Sequence, residues 1–174
     1  MRFGAKAAWI LCFAWCAWLT ASQVWLQRSL GIWTPDLGLV LLASLVMRSG
    51  YSSSLGLVFC LVSTRLAFSL EPPAALLAGG WMGFLLARSV AHTFDADQMF
   101  ARAGAAFGAA LLMGSWVLLA GGFRAGSWDQ YGGGEALELL AGVFTSAAAT
   151  GLCALLLGPV FVHLPGLAPL RRPA

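Results

Sequence analysis

Thr34-Pro35-Asp36-Leu37-Gly38-Leu39-Val40-Leu41-Leu42-Ala43-Ser44-Leu45-Val46-Met47, followed by Arg48-Ser49-Gly50, is the stretch on which the fold turns. Its front carries helix-start chemistry: Thr34 as a cap, Pro35 at the first helical position, and Asp36 facing the positive helix end. Behind Asp36 no charge appears until Arg48. From Pro35 to Met47 the helix would measure roughly 20 Å, against a hydrocarbon core of roughly 30 Å. It is a short apolar helix, and two expectations follow. Either the bilayer thins around it, or the Ser29–Thr34 connection dips inward where neighbouring helices shield it.

Longer apolar stretches flank this segment on both sides. Of 174 residues 60% are apolar and only 10% charged, well below the roughly 25% charge of soluble domains. Such a chain is expected to be an all-α integral membrane protein, because backbone amides in hydrocarbon must be satisfied internally and the alternation of barrel strands is missing. One transmembrane domain is read over 1–174, with six spans at about 7–26, 35–47, 54–70, 73–88, 101–123 and 137–162. The first apolar core is too long for a cleavable signal and is read as a retained helix. Pro159 should kink or end the last span. Arg124–Glu135, with Gly126, Gly132, Gly133 and Gly134 beside Trp128 and Tyr131, reads as a flexible loop at the interface.

Short connections carry the orientation signal. With a cytoplasmic N-terminus, Arg2, Lys6, Arg48, Arg88, Arg102, Arg171 and Arg172 fall inside, and Arg28 and Arg124 outside. Seven against two favours both termini in the cytoplasm. Asp36, Glu71, Asp129, Glu135 and Glu138 then fall on the outer side. The basic residues never cluster, which argues against nucleic acid as a partner.

Arg65 is the one basic side chain read inside a span, where burial costs several kcal/mol unless the charge is paired or reaches water. Counting from the connecting turn, Asp36 and Arg65 stand level on antiparallel helices. An Asp36–Arg65 ion pair is expected; the alternative is Arg65 reaching alone to the outer interface. Small residues four apart, at Ala17 and Ala21, Gly79 and Gly83, and Gly104 and Gly108, mark faces where helix backbones approach closely. Whether a face serves internal packing or a partner helix is open.

Catalytic signals are sparse. Cys12, Cys16, Cys60 and Cys153 lie in apolar runs and are read as free thiols. His92, Asp95 and Asp97 in a turn, and His163 near the last span, read as solvated, with no metal or cofactor implied. Gly50-Tyr51-Ser52 is similar to the serine motif of rhomboid proteases, but Ser52 sits at a turn and no mid-span His serves it as a base. The expected protein is not an enzyme.

The six-span layout resembles the MreD family of rod shape-determining membrane proteins. The resemblance lies in Pro35-Asp36-Leu37, the short apolar helix, the Arg48-Ser49-Gly50 turn, Gly56 in the third helix, and the Glu71-Pro72-Pro73 turn. It covers about 60 residues, and hydropathy alone extends it further. The family often has an aspartate late in the third helix, where this chain has Arg65-Leu66. The resemblance implies a non-catalytic scaffold of the bacterial inner membrane, serving cell elongation and peptidoglycan synthesis. Implied partners are an MreC-like bitopic protein, MreB, RodA, a transpeptidase and the lipid bilayer, with a second copy of the chain as a further candidate. MreD proteins are in turn similar to the substrate-binding S-components of ECF-type vitamin transporters, which implies an S-component-like bundle and supplies the alternative function. For that alternative, Asp36, Arg65, Trp33 and Trp128 would line an outer pocket.

Overall fold

A computed structural model of the chain describes residues 2–69, 71–95, 98–125 and 133–170. Six helices account for most of them: α1 (Arg2–Leu30), α2 (Leu37–Val46), α3 (Tyr51–Phe68), α4 (Pro73–Thr93), α5 (Met99–Ala125) and α6 (Gly133–Val162). Among the described residues there is no strand. α1, α4, α5 and α6 are each long and apolar enough to cross a membrane, whereas α2 and α3 are shorter apolar helices.

The connections explain where the helices stop. α1 runs past the expected limit at residue 26, so Ser29 and Leu30 are helical and do not form a loop. Gly31 then adopts a φ of +57°, a left-handed conformation that ends a helix at low cost only for glycine. One 3-10 turn, Gly31–Trp33, leads to Thr34 in extended conformation. The Thr34 hydroxyl donates back to the Gly31 carbonyl at 2.6 Å. Thr34 therefore closes the preceding turn and does not cap α2. The cap is Asp36, whose Oδ1 accepts the Leu39 N–H at 2.9 Å, and Pro35 stays outside the helix. A carboxylate two residues nearer the helix competes better for the free amides and interacts favourably with the helix dipole.

Other boundaries differ from expectation in the same direction. α4 and α5 extend to Thr93 and Ala125, because apolar and small residues continue past the first arginine. Arg124, Gly133 and Gly134 belong to helices and not to the loop. Gly126, Trp128, Asp129, Tyr131 and Gly132 lie outside the described residues, as do Leu70, Asp97, Arg171 and Arg172. Pro72 caps α4 and Pro73 occupies its first turn, where a missing N–H costs nothing. Pro159 sits inside α6, which ends three residues later at Val162. Beyond it Pro165 accepts a hydrogen bond from the Trp15 indole at 3.3 Å, tying this segment to α1.

Each helix runs antiparallel to the one before it. Arg65 near the end of α3 lies on Asp36 at the start of α2, and Trp116 of α5 donates to the carbonyl of Ala75 at the start of α4 at 3.1 Å. α2 is the axis of the bundle. All ten of its residues are buried, and it touches each of the other five helices. The ring around it runs α1, α3, α4, α5, α6 through packed seams between neighbours, and the 3-10 turn at Gly31–Trp33 bridges α6 to α1. Phe84, Leu19, Leu57 and Leu61 fill the space around the axis.

The outside of the bundle is apolar. Ile10, Phe100, Phe123, Leu137 and Leu156 are each at least 70% exposed. Soluble proteins rarely display contiguous apolar surface on this scale. Such a surface is compatible with a multi-pass membrane protein.

Candidate functional site

The site begins at the first turn of α2. Asp36 is held by three backbone bonds and one side-chain contact with α3. Its N–H donates to Thr150 Oγ1 of α6 at 2.8 Å, and its carbonyl accepts the Val40 N–H at 3.0 Å. Its Oδ1 caps Leu39 while its Oδ2 faces the Arg65 guanidinium in an ion pair, each side chain 13% exposed. Arg65 also turns Nη1 toward the Met113 sulfur of α5, at 2.9 Å. Three helices thus converge on one carboxylate and one guanidinium.

The approach depends on Gly38. A Cβ there would collide with Leu61 and come within 3.7 Å of the Arg65 guanidinium. A bare backbone at this position lets α3 come close enough for Arg65 to reach Asp36. α6 fixes the turn before it: Ser146 Oγ donates to the Thr34 carbonyl at 2.9 Å, and Thr150 Oγ1 donates to the Ser146 carbonyl at 2.7 Å. The carboxylate position is consequently set by backbone and hydroxyl contacts, independent of Arg65.

Above the pair opens a cavity of about 540 Å³, within the range of small-molecule sites. Asp36 and Arg65 lie on its wall beside Gln23 and Gln27 of α1, and Glu71 joins them from the α3–α4 connection. No described residue takes the amide of Gln23 or Gln27 in a hydrogen bond. The opposite wall is apolar, with Val117 and Leu118 of α5 and Leu139 and Val143 of α6. The chamber has a polar side and an apolar side. Trp33, expected in its lining, is turned outward and is 55% exposed, and Trp128 lies outside the described residues.

The small-residue faces divide between two uses. Gly79 and Gly83 are buried against α5, where a Cβ on Gly83 would stand 3.3 Å from the Ala109 Cβ and one on Gly79 3.1 Å from Met113 Cγ. Gly108 receives the Leu86 side chain from α4. These three serve internal seams. Ala17 is half-buried, Ala21 is exposed, and a Cβ added at Gly104 would meet nothing within 4 Å.

Arg65 is joined by a second arginine inside the bundle, which the sequence reading assigned to a helix end. Arg102, in the first turn of α5, is only 3% exposed. It crosses Gly158 of α6 so closely that a Cβ there would lie 2.6 Å from its Cδ and 3.4 Å from Ser44 Oγ. Nearby, Arg88 donates to the Ser49 carbonyl at 3.3 Å. The Gly-Pro pair at 158–159 and the lone Ser44 in α2 are the sequence signals of this crossing. The Gln23–Gln27 pair was equally legible: with Thr20 it forms a polar stripe at spacings of three and four, one helix face by periodicity.

Compared with protein-family models, curated proteins and solved structures, the chain matches none. The four cysteines, Cys12, Cys16, Cys60 and Cys153, are free. Among the described residues no group of three or more His, Cys, Asp or Glu side chains converges to hold a metal ion.

Proposed function

We propose that this protein is a non-catalytic scaffold of the MreD kind in a bacterial inner membrane, crossing it six times with both termini in the cytoplasm. It docks the transmembrane helix of an MreC-like bitopic protein within the cell-elongation machinery, whose other implied members are MreB, RodA and a transpeptidase. The observation that carries the reading is the division of the small-residue faces. Gly79, Gly83 and Gly108 are consumed by internal seams, whereas Ala21 and Gly104 are left exposed, Gly104 with nothing within 4 Å of an added Cβ. In hydrocarbon, helices associate by close packing at small residues, so unconsumed ones on the surface suit a partner helix.

The six-span count draws support from the burial of α2. Ten residues give about 15 Å of helix, too short to cross alone, but a segment covered on every side needs no contact with lipid. Orientation draws support from charge: Lys6, Arg48, Arg88 and Arg102 gather toward one end, and Asp36, Glu71, Glu135 and Glu138 toward the other.

Affinity purification of the full chain from its native membrane tests the reading. A single-pass cell-wall protein should co-purify, and Ala21→Leu or Gly104→Leu should release it while the bundle stays folded. Release of nothing by either variant would defeat it. One observation favours a second reading, the S-component-like one: the cavity beside Asp36 and Arg65 is of ligand size and partly polar. A vitamin-class solute in the purified protein, with no cell-wall partner, would favour that alternative.

A further inference from the structure

On the far side of the cavity's apolar wall lies a second space. A second groove of about 200 Å³, almost wholly apolar, lies between α5 and α6, lined by Ser115, Leu119, Gly122 and Leu140 among others. Leu118 and Leu139 line both spaces. A polar chamber and an apolar groove therefore share one two-leucine wall, at the same end of the bundle. One molecule with a polar head and a hydrocarbon chain would fill both.

The chamber's chemistry narrows the head group. Arg65 and Asp36 neutralise one another, and Glu71 adds a further negative charge, so the described lining residues sum to −1. An anionic phosphate would meet a wall on which Arg65, the one cation among the described lining residues, is already engaged. What remains unspent is neutral hydrogen-bonding capacity, two donors and an acceptor on each of Gln23 and Gln27. Amides one turn apart on α1 suit hydroxyls or amides on a ligand, which both donate and accept. Gln23 is half-buried and Gln27 exposed at the cavity's rim, so a head group carrying both donors and acceptors can match their amides on entering from the open side.

We propose that the Asp36-end cavity binds an uncharged amphipathic lipid, with its hydroxyl- or amide-bearing head against Gln23 and Gln27 and its chain passing Leu118 and Leu139 into the α5–α6 groove. The inference stands on the two spaces and is independent of which protein docks on the outer faces. It also differs from a site for a water-soluble solute, because the chain contributes to binding.

The test uses the full chain in detergent micelles with three defined probes: a monoglucosyl diacylglycerol, a phosphatidylglycerol of the same acyl chains, and free methyl glucoside. Retention is read by native mass spectrometry and by the shift in thermal midpoint. The neutral glycolipid should be retained at one copy per chain, at least tenfold better than the phosphatidylglycerol. Gln23→Leu with Gln27→Leu should lower its retention at least tenfold, and Leu139→Trp should do the same by filling the groove. Equal retention of the two lipids overturns the head-group assignment, even if the variants fail to fold. Methyl glucoside binding as tightly as the glycolipid overturns the lipid assignment and makes the site one for a soluble solute.

Discussion

Two ends of the same bundle place an arginine among apolar helices in different ways. At one, Arg65 meets Asp36 beside an open chamber, each partner 13% exposed. At the other, Arg102 is 3% exposed and pressed across Gly158 next to Ser44. The first charge faces its counter-charge at the edge of a cavity; the second is packed closely against the backbone of α6. Desolvation explains the difference. A charge beside a polar cavity keeps some solvation, so it can sit at a site, whereas an enclosed one needs fixed surroundings and serves the architecture. Glycine appears at both, Gly38 under Arg65 and Gly158 under Arg102, because a guanidinium reaching across a helix seam requires a position without a side chain.

Substitutions that treat the ends alike should therefore give unlike results. Asp36→Ala should have the largest effect, destabilising by about 3–5 kcal/mol, since it strands the Arg65 charge and removes the cap of α2 as well. Arg65→Leu should cost less, because Asp36 keeps its Leu39 and Thr150 contacts; equilibrium unfolding in mild detergent compares them. Equal losses from the two would mean that the pair, and not the cap, sets the position of α2. Gly158→Leu and Gly38→Leu come next, at about 1–3 kcal/mol each from overpacking. Only Gly38→Leu should also abolish ligand retention, since it displaces Arg65 at the cavity wall.

A sharper contrast with little effect on stability comes from thiol labelling, with the four native cysteines replaced. Cysteine at Gln27 should react with a water-soluble maleimide, and cysteine at Ser44 should not; fast labelling at both would make the Arg102 end a second open site. The smallest change is expected from Gly104→Leu, within about 0.5 kcal/mol of the parent, because nothing stands above that position. A larger loss in the isolated chain would put Gly104 in an internal seam.

Much of the candidate site was legible before any coordinates. Asp36 and Arg65 announce themselves as charges in apolar surroundings, and equal helical distance from the Arg48–Ser52 turn makes them level. Thr34 was misread as the cap because Thr-Pro-Asp offers two capping side chains. Only the left-handed Gly31 decides between them, by folding Thr34 back on the preceding turn. Arg102 escaped notice because its helix extends two residues before Ala101, which moves it from a boundary into the first full turn. The cavity was not visible as such, since its walls come from five helices and two connections distant in the chain.

Hydropathy and spacing alone determined an all-helical chain with apolar stretches long enough to cross a bilayer. They also determined that the helix after Asp36 is short, because solvent acts on each segment separately. Only the tertiary structure decided that this shortest helix is the axis, which glycine faces are consumed by neighbours, and where polar and apolar cavities meet at Leu118 and Leu139. Those depend on which helices become adjacent, and between apolar helices of nearly the same composition adjacency is chosen by shape complementarity.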